Sequence, residues 1–424
     1  MLHCSYKSIR AEATSLQTKR LDKLYNEYLI VNSLKTSGKL SIPSIAASTG
    51  LSRPTVDTIV SQLEREGMVE TDGFAQSVTG RKPVLWRLRS DSGYFVGVDF
   101  EPPVVRLLIL NMCRETVFSR SIQFPQSFHA DEVLKLLVSA IRQAMEEAGA
   151  PLAKLRSISV GNPGSIDKQR GLSVAMHNCP NWNNVPICER LAQEFDCETE
   201  IENVILYMAN VERERLAGQN VRDFVYVALR TGVGAGVCLK GELYSGASGN
   251  AGHFGFLSVG SPLCRSEHRL EEYADTAMLL RRMREEGLLS GGEGEQDGER
   301  QICILAERAQ EGNPAAMDIL EELSDFWAYG LSCAINLLDI PLYVVGGLLA
   351  RMNVYAPEVG SLFLDMVRKR CVQNYLYEKK YSFELCYAQD VPNAAALGGA
   401  LRGYETFFKR YAPSAEGNHL AVSG

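Results

Sequence analysis

Between Tyr25 and Leu88 the spacing of apolar residues changes from helical to alternating, and this constrains the N-terminal fold more than any other feature of the chain. Tyr25, Leu29, Val31 and Leu34 predict a helix that stops near Gly38, and Ile42, Ile45 and Ala46 a short second helix ending at Gly50. Ser52 can cap a third helix, with Pro54 tolerated in its first turn. Val56, Ile59, Val60 and Leu63 follow at i, i+3, i+4 and i+7, the buried stripe of one helical face, and Gly67 ends it. The period then drops to two. Val84, Trp86 and Leu88 alternate as a half-buried strand does, facing Met68–Glu70 across a polar tip from Thr71 to Gly80. Two short helices joined by a Gly-containing turn, then a hairpin, predict an all-α-plus-wing winged helix-turn-helix over residues 20–90.

The third helix presents Arg53, Thr55, Thr58 and Ser61 on the face opposite its stripe. Small hydroxyls and an Arg at the start of such a helix suit base edges and phosphates in a major groove. Asp57 lies close to that face and would repel phosphate. The wing corner Gly80-Arg81-Lys82 adds two cations. The expected DNA contacts are therefore Ser52, Arg53, Thr55, Thr58, Ser61, Arg81 and Lys82, and the expected partner is double-stranded DNA. The competing reading is a three-helix module that packs only on protein. Charge favours the first: residues 1–90 carry 13 Lys and Arg against 8 Asp and Glu, and the remainder 31 against 43.

At 424 residues, 46% hydrophobic and 22% charged, the chain can bury the cores of two or three domains. It has no apolar run near the roughly 18 residues that cross a bilayer, and Met1–Arg20 lacks the apolar stretch of a secretory signal. Its 11 cysteines contain no CxxC pair, so free thiols in a reducing cytoplasm are expected, with no membrane partner. From residue 91 on, strand and helix patterns alternate as in an α/β fold. Strands are predicted at Phe95–Phe100, Val104–Leu110, Ile158–Val160, Phe224–Leu229, Gly236–Lys240 and Leu342–Val345. Helices are predicted at Ala130–Ala148 and Leu323–Asp339, a flexible loop at Ser290–Gly298, and a disordered tail after Ala412. No repeat of 20–50 residues is seen.

Glycine-rich segments punctuate this body: Gly97-Val98-Asp99, Gly161-Asn162-Pro163-Gly164-Ser165-Ile166-Asp167, Thr231-Gly232-Val233-Gly234-Ala235-Gly236, Gly249-Asn250-Ala251-Gly252, Gly346-Gly347 and Ala396-Leu397-Gly398-Gly399-Ala400. With Pro180-Asn181-Trp182, Val185-Pro186, Glu202-Asn203 and the N-terminal Gly80-Arg81-Lys82-Pro83, their order resembles the ROK family (repressors, open reading frames and sugar kinases) from about Glu27 to Phe408. The resemblance implies an actin-like, sugar-kinase two-lobed α/β fold and a homodimer or tetramer. A first lobe is expected over residues 91–206 with a return segment 388–410, and a second over 207–387. A two-fold dimer would read an inverted-repeat operator.

Against that family the chain departs where chemistry is done. The family's general base follows Glu-Asn; here Val204 follows Asn203 and accepts no proton. Its first phosphate loop is replaced by Asp99-Phe100-Glu101-Pro102-Pro103, in which two prolines remove N–H donors and Glu101 repels phosphate. Asp99, Gly232, Gly234 and Gly346 are thus read as degenerate nucleotide-loop residues, and Arg230 stands where the family usually has Gly. The family's zinc His is Phe256, and one Cys, Cys264, remains of three; His253, Cys264 and His268 offer only a rearranged set. No cofactor and no metal is expected. Asn183, Asn203, His253 and Glu271 remain as candidate effector-binding residues, in a pocket more apolar than a hexose site, for a sugar, a sugar-derived effector or no ligand. The chain is read as a DNA-binding transcriptional regulator with a catalytically dead body. The alternatives are a sugar kinase with a DNA-binding appendage, and a regulator whose body only dimerises.

Overall fold

The computed structural model describes residues 23–76, 82–101, 103–124, 129–176, 182–247, 249–259, 268–289, 298–373, 383–389 and 393–409. The N-terminal module opens with α1 (23–37), which buries Ile30, Val31 and Leu34. Next come β1 (Lys39–Ser41), α2 (Ile42–Thr49) and α3 (Arg53–Arg65). Gly50 closes α2 at φ 72, a left-handed geometry that favours glycine. Ser52 caps α3, Pro54 lies in its first turn, and Val56, Ile59, Val60 and Leu63 are buried, as the spacing predicts. The wing strands β2 (Val69–Phe74) and β3 (Val84–Leu88) pair antiparallel, and β1 joins as an unexpected third strand in the order β1-β3-β2. β3 is thus flanked on both edges, and its alternation is blurred. Leu85 is as half-buried as Val84 and Trp86, and only Leu88 is buried.

The body holds two five-stranded sheets. The first contains β4 (Tyr94–Glu101), β5 (Val104–Asn111), β6 (Thr116–Gln123), β7 (Leu155–Asn162) and β11 (Glu198–Asn203), in the order β11-β7-β4-β5-β6. β4, β5 and β6 form an antiparallel meander, and β7 and β11 extend it in parallel on the other side of β4. The second contains β12 (Phe224–Leu229), β13 (Val233–Leu239), β14 (Glu242–Tyr244), β17 (Leu342–Gly347) and β18 (Glu384–Tyr387), in the order β14-β13-β12-β17-β18. It repeats the plan: an antiparallel meander β12-β13-β14, then β17 and β18 in parallel beyond β12. The body is therefore a structural duplication, although no sequence repeat announces it.

Helices α4 (Ala130–Glu147) and α5 (Ile187–Glu194) cover the first sheet. Helices α7 (Glu271–Ala274), α8 (Thr276–Glu285), α9 (Gly298–Gln310), α10 (Pro314–Leu338), α11 (Leu348–Tyr355) and α12 (Pro357–Gln373) build the second lobe. α10 starts at Pro314 rather than Leu323, because Asn313 caps it, Pro314 suits its first position and Ala316, Ile319 and Leu320 extend its buried face. Two small sheets project from the lobes: β8 (Ser165–Asp167), β9 (Leu172–Ala175) and β10 (Asn183–Val185) from the first, and β15 (Ser258–Val259) with β16 (His268–Arg269) from the second. The expected loop at 290–297 and the tail after 412 lie outside the described residues. Among the described residues no helix is long and apolar enough to cross a membrane.

The lobes meet over two helices, α6 (Val204–Ala217) on the second sheet and α13 (Ala394–Lys409) on the first. Their approach is backbone-close. A Cβ on Gly398 would lie 1.8 Å from the Tyr207 carbonyl oxygen, and one on Gly97 1.7 Å from that of Ala396. The glycines of these segments are packing devices here. α13 also supplies Tyr404, Phe407 and Phe408 to one continuous core with Ile30, Leu34, Val69 and Leu88, so the winged module is docked on the first lobe. Lys35 stands over the rings of Tyr404 and Phe408, at 5.1 and 5.5 Å.

Candidate nucleic-acid interface and interlobe site

At the start of α3 the Ser52 Oγ accepts from the Thr55 backbone N–H at 3.3 Å and pairs with the Thr55 hydroxyl at 2.7 Å. Thr58 donates to the Pro54 carbonyl at 2.9 Å. These hydroxyls serve the helix first, and each keeps acceptor capacity outward. Arg53, Thr58 and Ser61 are exposed and Thr55 is half-buried, so one face of α3 gathers four of the expected contacts, with Ser52 at its cap. Among the described residues Arg53 has no ion pair. Lys82 is exposed, and Arg81 lies outside the described residues. Sequence reasoning missed the charge pattern on the wing sheet, because β1 was not foreseen. Lys39 pairs with Asp72 at 3.3 Å, and Arg87 with Glu70 at 2.8 Å, which neutralises that surface. Glu27 of α1 accepts from Gln62 of α3, and burial raises its carboxyl above the ordinary value.

In the body, Asn203 ends β11 and caps α6, its Oδ1 accepting from the Ile205 N–H at 2.8 Å. Val204 is the first helical residue and is 4% exposed. It does not continue the strand of Glu202, whose buried carboxylate is held by Lys168. Beneath this corner runs a buried chain: the Trp182 indole donates to Ser173 Oγ at 2.7 Å, and Ser173 donates to Asn162 Oδ1 at 2.8 Å. Trp182 is thus a supporting residue that also packs on Phe100. Asn183 lies exposed on β10 at the edge of its small sheet.

His253 and Glu271 belong to the second lobe. Burial lowers the His253 pKa, so its imidazole is neutral near pH 7. Its ring packs edge-on to Phe256, and Arg269 stacks 4.3 Å above the Phe256 ring. An Arg–Phe stack does not fit the zinc ligand that the family places there. Among the described residues no group of three His, Cys, Asp or Glu is placed to hold a metal. His268 faces Glu272 at 3.2 Å, and Cys264 lies outside the described residues. The Glu271 carboxylate is buried against Gly255 and Gly232. Of the expected loop glycines, Gly232 does sit in the β12–β13 turn. Gly234 and Gly346 lie inside β13 and β17, where their missing side chains admit Ile205 and the Tyr226 ring. They are strand residues rather than loop residues.

The largest departure from expectation lies between the β4–β5 and β12–β13 turns, which are equivalent in the duplicated plan. Arg230, from the second, donates to Asp99 Oδ2 at 3.0 Å and to the Glu101 carboxylate of the first. Thr231 donates to Glu101 Oε1 at 2.9 Å. Arg106 reaches Asp99 at 3.3 Å and Glu101 at 3.8 Å. Burial alone would raise the Glu101 carboxyl, but Arg230, Thr231 and Arg106 outweigh it and hold it below the ordinary value. Likewise burial alone would lower Arg230, and the two carboxylates raise it instead. Asp99 is bound by arginines here, and its Oδ1 is buried without a hydrogen-bond partner among the described residues, a cost of about 1–3 kcal/mol. The set does not fit a nucleotide phosphate, because the carboxylates would repel it and Arg230 is already engaged. A separate, small interlobe cleft of about 50 Å³ is lined by Lys168, Glu202, Tyr207, Asn210, Arg213 and Ser245 among others, and by none of the four expected effector residues.

The profile of the ROK family matches residues 105–401, well over half of the sequence. The chain belongs to the ROK family. Residues 30–73 match the IclR helix-turn-helix domain, so the N-terminal module is a helix-turn-helix by profile as well as by geometry. Among curated proteins, this ROK chain is 24% identical to a xylose repressor of Caldicellulosiruptor bescii over 388 residues, 89% of this chain and 94% of that protein. It is 25% identical to a glucokinase of Thermotoga maritima over 284 residues, 64% of this chain and 84% of the other. A crystal structure of a ROK family transcriptional regulator, described as a homologue of the E. coli MLC protein, superposes with a TM-score of 0.69 at 17% identity, covering 92% of this chain and 97% of that one. The fold is therefore the ROK sugar-kinase-like fold with an added helix-turn-helix.

Proposed function

We propose that this protein is a sequence-specific, DNA-binding transcriptional repressor whose sugar-kinase-like body carries no phosphotransfer, pairs two copies of the chain, and senses a sugar or sugar-derived ligand. One observation carries the reading. A capped helix that exposes Arg53, Thr58 and Ser61 is joined to a body in which the base position is an apolar, buried Val204. A kinase needs a group there to take the hydroxyl proton. DNA contact is assigned to Ser52, Arg53, Thr55, Thr58, Ser61, Arg81 and Lys82, and a two-fold pair of such helices matches an inverted repeat. The resemblance to xylose repressors supports a monosaccharide as the effector class, held by Asn203, His253 and Glu271, with Asn183 at the rim.

The test combines two measurements. Fluorescence anisotropy on selected operator DNA should give salt-dependent binding. Arg53→Ala together with Arg81→Ala should abolish it while the circular dichroism spectrum stays unchanged. A coupled ATPase assay over a hexose and pentose panel should stay at the blank rate. Turnover above the blank would establish the alternative, a sugar kinase with a DNA-binding appendage. Full operator affinity in the double variant would remove the assigned surface.

A further inference from the structure

We infer that Arg230 is the pin of an electrostatic clasp that ties the second lobe to the helix-turn-helix-bearing first lobe, so that the lobe arrangement, and through it operator affinity, is set by an ion cluster built into the chain. Duplication makes the geometry possible. The β4–β5 and β12–β13 turns are counterparts in two sheets of one topology, and they face each other across the cleft. The charges are segregated between them. Asp99 and Glu101 come from the first lobe, and Arg230 and Thr231 from the second.

The contact has the properties of a two-state tie. It is short-range and shielded: the side chains of Asp99, Glu101 and Arg230 are 3%, 15% and 13% exposed. Salt therefore screens it far less than it screens a surface pair. Separating the lobes would strand two carboxylates on one side and one guanidinium on the other, each recovering its energy only by full hydration. Intermediate separations are thus disfavoured, and the cleft is either clasped or open. Arg106 belongs to the first lobe and stays with the carboxylates in both states, so Arg230 is the one charged group that changes sides, together with the Thr231 hydroxyl.

The first lobe is the one that carries the DNA-binding module, through the core shared by Leu34, Leu88, Tyr404 and Phe407. At the junction of the two helices, Arg213 and Glu214 of α6 pair with Glu405 of α13 and with Arg114 of the first lobe. Any swing of the lobes therefore turns the module with the first lobe. A ligand that prefers one lobe arrangement must work against or with the clasp by its difference in affinity for the two states.

The operator part of this inference rests on the function proposed above, and the clasp itself does not. Hydrogen–deuterium exchange by mass spectrometry on the full chain separates the two. Arg230→Met should deprotect residues 99–106 in the opposite lobe as well as 228–234, by about tenfold in rate, and Glu101→Gln should reciprocally deprotect 228–234. The double variant should exceed the larger single effect only slightly, because both changes break one interaction. Operator affinity should shift at least about fivefold in the same variants although the α3 face is untouched. If Arg230→Met fails to fold, Arg230→Lys keeps the charge without the fork and should show the same cross-lobe pattern more weakly. Deprotection confined to the mutated turn in each variant would overturn the clasp. Wild-type protein that binds no DNA yet shows reciprocal exchange would remove the functional reading and leave the clasp standing.

Discussion

The two lobes have the same strand order and opposite manners at the same turn. In the first, β4 runs into Asp99, Phe100 and Glu101, and the following prolines cannot donate from their backbone. In the second, β12 runs into Arg230, Thr231 and Gly232, and the Arg230 N–H closes the turn on the Gly232 carbonyl at 2.8 Å. One lobe's turn offers acceptors, the other's offers donors, and the two bond to each other. The sheet beneath a turn fixes only where its side chains arrive. Whether two such turns hold a ligand between them or hold each other is decided by a handful of residues at their tips. In a chain that keeps the glycine-rich framework of a kinase, this is where function can change with the fold intact.

The comparison can be broken first at the helices that back each sheet. Gly97 of β4 lies under α13, and an added methyl there meets the Ala396 backbone at 1.7 Å. Gly234 of β13 lies under α6, and the same methyl meets the Ile205 side chain at 2.8 Å. Backbone cannot yield as a rotamer can. Gly97→Ala should therefore cost about 3 kcal/mol or more, and Gly234→Ala about 1 kcal/mol, read from urea unfolding midpoints. Equal losses would mean that the first lobe is as pliant as the second. An effect between these two is expected at Ser173 of the first lobe's small sheet. Ser173→Ala removes the acceptor of the Trp182 indole and the donor to Asn162 together, inside a fully buried chain. The loss should be about 2 kcal/mol, whereas Ser173→Thr should recover part of it. A neutral Ser173→Ala would show that water substitutes there.

What could be read from the residues, and what could not, divides along the same lines. The N-terminal module was legible almost whole because its signals are local: a four-residue apolar stripe, a Ser cap, a Pro in the first turn, and glycines at φ 72 closing α2 and α3. The strands around the cleft were legible as apolar runs. β1 was not, since three residues carry no period, and the paired charges of the wing went unseen with it. The duplication was invisible because strand order is a non-local property and the lobes share no residue pattern. Glu101 and Arg230 were each noticed singly, one as a repeller of phosphate and the other as a substituted glycine. Their pairing spans 129 positions, and nothing short of the facing sheets brings them together. Gly234 and Gly346 were misassigned to loops because a glycine that admits a neighbouring side chain looks, in sequence, like one that turns the chain.

Acid should sharpen the contrast between lobes, with the smallest effect of the set. In the second lobe, burial depresses the His253 pKa. A group with a depressed folded pKa contributes stability that is present above its unfolded pKa and lost as pH falls through the folded one. The second lobe should thus begin to weaken just below about pH 6.5, the ordinary His value. In the first lobe Glu101 is also depressed, so the same sign applies in a lower window. Its contribution persists to about pH 4 and is lost below it, as Glu101 takes up a proton between Arg106 and Arg230. Thermal unfolding followed from pH 8 to pH 3 in wild type, His253→Asn and Glu101→Gln should show this order. His253→Asn should flatten the profile just below about pH 6.5 and leave the acid limb in place, and Glu101→Gln should do the reverse. If the His253 variant retains the upper limb, that limb arises elsewhere. If Glu101→Gln keeps the full acid loss, its carboxylate is not held by the arginines in solution, and the two turns do not satisfy each other as their geometry implies.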